Sequence, residues 1–223
     1  GGDLVQRRQH FQRSLRLMGE IIGKKERADA VVAFFEQAIE DLQSRTADIP
    51  EDQGPFVYLG GVAFKGPHGF QSTKANYPPF VFLGARNLAH TGAGKKMTNS
   101  EVAKEQILAW NPDYLFVDLS TLQLGEEKSA LHEVRTDPAY AILKSVREGR
   151  VYGVLPYNWY SQNFESILAN AYFIGKVLYP ERFQDIDPAA KADQIYEFVV
   201  GKPVFARMNA LFANQAFVRL AVP

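Results

Sequence analysis

Apolar positions recur at helical spacing from the start of the chain. Residues 4–22 read as a helix rich in Arg and Gln, ended by Gly23, whose tolerance of positive φ suits a helix C-terminus. A second, longer helix is predicted over 24–47. Its residues Ala28, Val31, Val32, Phe35, Ala38, Ile39 and Leu42 fall at i, i+3, i+4, i+7 and make one buried stripe, while Glu26, Asp29, Glu36, Glu40 and Asp41 take the opposite, wet face. The breaker cluster from Ile49-Pro50 to Gly54-Pro55 ends this regime and divides the chain into a helical segment, 1–50, and a second unit, 51–223. Beyond it short apolar runs predict buried strands at 56–59, 114–117 and 150–155. Helices are predicted between and after them. Thr98 and Glu101 form a T-x-x-E capping box opening a helix to about Trp110, and Asp137-Pro138 starts another that runs to Glu148. Phe164, Ile167, Leu168, Ala171, Ile174 and Leu178 form the stripe of a third, stopped by Pro180, and Asp187-Pro188 opens a fourth to Val200. The apolar tail from Val204 reads as helical.

Strands alternating with helices predict an α/β fold, a Rossmann-like parallel sheet with flanking helices. Ligands of such sheets sit beyond the carboxyl ends of the strands. Here those ends are the segments after Leu59, Val117 and Leu155.

Composition narrows the chemistry. In 223 residues, 25 Lys and Arg offset 25 Asp and Glu, which excludes a nucleic-acid binder relying on a basic surface. No run reaches the roughly 18 apolar residues of a membrane span. The absence of cysteine removes disulfides, thiolate metal sites and thiol catalysis. The four histidines, at 10, 68, 90 and 132, are too far apart for a helical metal pair. The start at Gly1-Gly2-Asp3 is what processing or truncation would each leave. Ser, His and Asp are too dispersed to propose a triad, so no catalytic residue, cofactor or resident metal is expected.

Two segments at predicted strand ends carry candidate binding chemistry. Gly60-Gly61-Val62-Ala63-Phe64-Lys65-Gly66-Pro67-His68-Gly69 is a long aperiodic stretch in which glycines allow close approach of backbone N–H groups, and Lys65 and His68 add positive charge suited to an anionic or oxygen-rich ligand. A solvated Gly/Pro surface loop accounts for the same residues. Pro156 to Asn163 gathers Tyr157, Asn158, Trp159, Tyr160 and Asn163; aromatic bodies with polar handles suit a concave site. The plainer alternative is a loop whose aromatics cap the core, with Asn163 as the N-cap of the next helix.

Several pieces in order then resemble a known family: the helix over 28–42, the string "GGVAFKGPHGFQST…YPPF", "EQILAWNPDYLFVD" at 105–118, and the segment from Val151 through Asn163. Together they resemble the substrate-binding proteins of ABC importers for ferric siderophores, haem, cobalamin and related chelates, the class III periplasmic binding proteins. The resemblance implies two α/β lobes joined by a long rigid helix, with ligand between them. It makes this chain a C-terminal lobe plus the connecting helix, without its N-terminal lobe. It implies a ferric chelate or oxyanion as ligand, lined by Lys65, His68, Tyr157, Asn158, Trp159, Tyr160 and Asn163, with Trp159, Tyr157, Tyr160 and Phe64 in an exposed apolar patch. It implies a membrane permease as partner, met by Glu105 with Glu101 as the less favoured alternative, and a periplasmic or extracellular location, with a lipid anchor an option in the full-length protein. A cofactor-carrying reductase component and a pure interaction domain are the competing functions on the same scaffold.

Overall fold

The computed structural model describes residues 2–50, 52–63, 68–91, 100–125, 127, 129–158 and 162–223. The chain opens on a helical hairpin, α1 (Gly2–Ile21) and α2 (Lys25–Ser44), turned at Gly23 with φ +67°. Gln12 bonds Glu36 at 2.8 Å and Arg16 pairs with Asp29 at 3.0 Å, so the two helices run antiparallel. The whole predicted stripe of α2 is buried, and most of it packs into the same apolar core as the strands. The change at residues 49–55 is therefore from helix to sheet, with one core continuing across it.

There follow β1 (Phe56–Gly60), β2 (Ser72–Thr73), α3 (Pro78–Phe82), β3 (Arg86–Asn87), α4 (Leu88–Thr91), β4 (Ser100–Glu101), α5 (Lys104–Trp110) and β5 (Tyr114–Asp118). Then come α6 (Ala130–Thr136), α7 (Lys144–Arg147), β6 (Val151–Val154), α8 (Phe164–Leu178), α9 (Pro188–Val200) and α10 (Phe205–Leu211). The main sheet is parallel, in the order β3-β1-β5-β6. From β1 the chain first moves to β3 on one side, then crosses to β5 and β6 on the other. The crevice between β1 and β5 is thus a topological switch point, where connections leave for opposite faces. The segment after α10 returns alongside β6: Phe217 N–H bonds Gly153 O, Gly153 N–H bonds Val218 O and Leu220 N–H bonds Val151 O. Gly153 allows this approach, since a Cβ there would strike the Gln215 carbonyl.

Two helices differ from expectation. Thr98 lies outside the described residues, and Glu101 belongs to β4, paired antiparallel with β2. The helix begins only at Lys104, whose N–H is capped by the side chain of Gln71 at 3.0 Å, a partner 33 residues away that no local pattern discloses. The single helix predicted over 137–148 is instead α6, a 3-10 turn over Tyr140–Ile142, and α7. Ser129 caps α6 by accepting from His132 N–H at 3.1 Å. Asp137 ends it with extended backbone and turns its carboxylate onto Ala139 N–H, so Asp137-Pro138 separates two helical pieces. The other boundaries fall close to prediction, with Asp187 capping α9 and Gly201 closing it at φ +83°.

Candidate functional site at the carboxyl ends of the strands

Because β1, β5 and β6 are parallel, the segments following them emerge at one end of the sheet. Three consecutive carbonyls after β1 are each held by a different element. Ser120 Oγ donates to Gly61 O at 3.2 Å, Ser72 Oγ to Val62 O at 2.7 Å, and Asn158 Nδ2 to Ala63 O at 3.2 Å. Gly61 has φ +84°, and a Cβ there would sit 2.6 Å from that of Ala130 and 3.0 Å from Asp118 O, so both conformation and space call for glycine. No acceptor is found among the described residues for the N–H groups of Gly61 and Ala63.

Beneath these loops lies a buried polar and aromatic cluster. Asp118, the last residue of β5, is 2% exposed and its carboxylate accepts from Ser120 N–H at 2.9 Å. One such bond does not offset loss of water, and burial pushes the Asp118 carboxyl up to about 7. Tyr77 is buried beside it and accepts from Asn170 Nδ2 at 3.1 Å; burial, then the Asp118 charge, hold its phenol well above the ordinary value. The Tyr77 ring meets that of Tyr157 edge-on at 5.3 Å. Lys74 is only 4% exposed, and its ammonium lies 5.9 Å from the Tyr157 ring. Its backbone is fixed by the buried Asn87, whose Nδ2 donates to Lys74 O and Ala75 O, both at 3.0 Å.

The structure brings Tyr157 and Asn158 together with the base of the glycine-rich loop. Lys65, Trp159, Tyr160 and Phe64 lie outside the described residues. Tyr157 is wholly buried, so it adds nothing to an exposed aromatic patch; its ring is held between Tyr77 and Lys74. Asn163 occupies the N-cap position of α8, but its side chain makes no capping bond. Its backbone works instead, the N–H donating to Tyr157 O at 2.8 Å, while Asn158 and Gln162 form an isolated antiparallel bridge. His68 is exposed, in the turn leading to Phe70, whose N–H bonds the Glu133 carboxylate at 3.0 Å. Glu105 is exposed in the first turn of α5. That helix runs back to the start of β5, so its first turn lies toward the end of the sheet that carries the loops. Among the described residues no group of three or more His, Asp or Glu could hold a metal ion, and no helix is long and apolar enough to cross a membrane.

Comparison with known proteins agrees with this layout. The family described as "Periplasmic binding protein" matches residues 3–157. The chain belongs to that family. Among curated relatives, the iron-uptake system-binding protein of Bacillus subtilis is 23% identical over 145 residues, covering 64% of this chain and 44% of its own length. The molybdate-binding protein MolA of Haemophilus influenzae is 24% identical over 191 residues, covering 84% of this chain and 50% of its own. In structure, molybdate-bound MolA superposes with a TM-score of 0.69 at 20% identity, over 88% of this chain and 57% of that one. A solute-binding protein from Sulfurospirillum deleyianum superposes with a TM-score of 0.70 at 22% identity, over 92% and 62%. This periplasmic binding protein thus spans about half the length of the curated relatives it matches.

Sequence reasoning missed Lys74, Asp118 and Asn170. Lys74 and Asp118 resemble ordinary surface charges in a chain with 50 of them, and only tertiary placement shows they are buried. The one available signal was position: Asp118 closes the apolar run 114–117 at a strand end.

Proposed function

We propose that this periplasmic binding protein is the C-terminal half of an extracytoplasmic receptor that delivers a metal chelate or an oxyanion to an ABC importer. The hydrogen bond from Asn158 to Ala63 O carries the reading, because it joins the two predicted binding loops at the carboxyl end of a parallel sheet. The relatives' names, for iron uptake, molybdate and Fe(3+)-citrate, support this ligand class. In this reading residues 51–223 form one lobe, and 1–50 contain the inter-lobe helix. A preceding N-terminal lobe supplies the opposite wall, in keeping with the half-length match. Lys65, His68, Trp159, Tyr160, Asn158 and Asn163 line the ligand, Tyr157 supports them from below, and Glu105 meets the permease on the membrane. No enzymatic step and no cofactor form part of the mechanism: binding and release suffice.

The test is calorimetric titration of this chain with ferric citrate, a ferric siderophore and sodium molybdate to millimolar concentration, alongside the melting midpoint. Saturable heat and a raised midpoint with one of them are expected, since a ligand binding only the folded state stabilises it. No response to any of the three, from this chain or from the complete two-lobed protein, overturns the receptor reading and favours a pure interaction domain.

A further inference from the structure

Behind the segment that leads into α8 lies a cavity of about 200 Å³, walled by α1, α2, α3 and the first turn of α8. None of its described lining residues belongs to the cluster around Asp118 or to the predicted binding residues. Its walls are hydrocarbon and aromatic. Phe11 stacks on Phe164 with ring centroids 3.9 Å apart and meets Phe35 edge-on at 5.6 Å, so three helices converge on one aromatic wall. Val81, 42% exposed, lines the cavity where it meets solvent. An apolar cavity of about 150 Å³ stays dry and already accepts a benzene ring, whereas sites for larger organic ligands start at roughly 300 Å³. The space here therefore suits one ring with a short substituent. Two charged side chains stand on the described lining, Arg8 and Glu36. Glu36 is already engaged, accepting from Gln12 Nε2 at 2.8 Å. Arg8 has neither an ion pair nor a hydrogen bond among the described residues. A guanidinium so placed can hold a planar carboxylate through two parallel bonds.

We propose that this cavity binds a monocyclic aromatic carboxylate, its ring against Phe11, Phe35 and Phe164 and its carboxylate on Arg8. The ring supplies the attraction, through edge and offset contacts with the aromatic wall, and Arg8 selects an anion over a neutral homologue. The Glu36 charge disfavours a second anionic group, which limits the ligand to a monoacid. The site is independent of the receptor reading, since it needs neither an importer nor a second lobe. Its place still bears on the candidate loop. Phe164 follows Asn163, whose N–H holds Tyr157 O at 2.8 Å, and Gln162 on the cavity wall bridges to Asn158. An occupant thus rests on the back of the same segment that carries Tyr157 and Asn158 on its front.

The experiment titrates this chain by calorimetry with sodium phenylacetate and with phenylacetamide, its neutral near-isostere. Saturable phenylacetate binding is expected with a Kd of about 0.1–1 mM, about tenfold tighter than the amide. Arg8→Met changes an exposed side chain and is expected to erase that preference. Val81→Trp fills the opening and is expected to weaken both ligands beyond measurement. No saturable phenylacetate binding to the parent overturns the proposal. Equal affinity for acid and amide in the parent, an unchanged preference in Arg8→Met, or undiminished binding in Val81→Trp overturns it as well. Should Val81→Trp not fold, nuclear Overhauser contacts in the parent decide. Contacts from the phenyl protons to the Ile39 methyl groups on the cavity wall support the site, and contacts to the strand-end loops alone refute it. None of these results touches the receptor reading, which the chelate and molybdate titrations test separately.

Discussion

Arg45 and Asp185, 140 residues apart, meet through two parallel hydrogen bonds of 2.7 and 2.8 Å. Arg45 also bonds Asp41, one turn back on α2, and its guanidinium lies 5.0 Å from the Phe183 ring. Beside it Arg182 grips Asp48 in the same two-pronged way, at 2.6 and 2.9 Å. The C-terminal end of α2 is thus fastened to the segment after α8 by planar, directional pairs rather than by apolar contact alone.

Arg45→Met is expected to lower stability by about 1–3 kcal/mol, since it removes several bonds to charged partners while keeping much of the apolar stem. Denaturant unfolding measures it. Asp185 has its carboxyl lowered to about 2 by the hydrogen bond from Arg45. A depressed carboxylate contributes stability above its ordinary value of 3.8, lost as pH falls through about 2. The acid-unfolding limb of Asp185→Asn should therefore be shallower than that of the parent.

Asp118 has the opposite sign. Its folded-state value of about 7 exceeds the ordinary 3.8, so the folded chain binds this proton more tightly than the unfolded one. Stability contributed by the protonated carboxyl is complete below about 4 and is lost as pH rises to about 7, by up to about 4 kcal/mol. The groups facing it include the Ser120 N–H and hydroxyl and the Tyr77 phenol, and the last stays neutral across this window. Asp118→Asn, an uncharged near-isostere that still accepts from Ser120, should melt at a midpoint nearly independent of pH between 5 and 8, where the parent midpoint falls. Parallel curves for the two proteins would show that Asp118 is not the group responsible.

Asn158→Ala deletes the donor to Ala63 O and leaves that buried carbonyl unmet. A loss of about 1 kcal/mol is expected, with ligand affinity reduced more than stability because the loops lose their link. The comparison is between the unfolding midpoint and the calorimetric dissociation constant.

Glu105→Arg, made in the complete receptor, should abolish permease-dependent uptake while ligand affinity stays within about twofold. Glu105 is exposed in the first turn of α5, so under the proposed function charge reversal there is expected to act on the partner surface. Uptake by reconstituted vesicles at parental rate would remove Glu105 from the interface.

Long-period patterning was legible. The α2 stripe, the three core strands and the caps at Asp187 and Gly201 follow from local spacing and turn chemistry, which the tertiary structure here reinforces. Elements fixed by distant partners were not. The start of α5 depends on Gln71, and α7 begins where Asn111 Oδ1 receives Lys144 N–H at 2.9 Å. The location of the candidate loops at the strand ends was legible, the contacts of their side chains less so. Asn158, picked out from its strand end, bonds Ala63 O, whereas Tyr157 is buried rather than on the surface. Lys74 and Asp118 could not be distinguished from solvated charges, because burial is a property of the assembled loops and leaves no periodic trace.

The strand-like return of residues 217–220 has a consequence for behaviour in concentrated solution. An uncovered edge offers its backbone groups to another chain and so seeds intermolecular pairing. Here the β6 edge is already occupied by the protein's own tail, and the opposite edge, β3, is only two residues long. Neither side offers a template of the five to seven extended residues that fibrillar stacking requires. Chains that meet through this sheet have nowhere to add a strand until the tail has first peeled away.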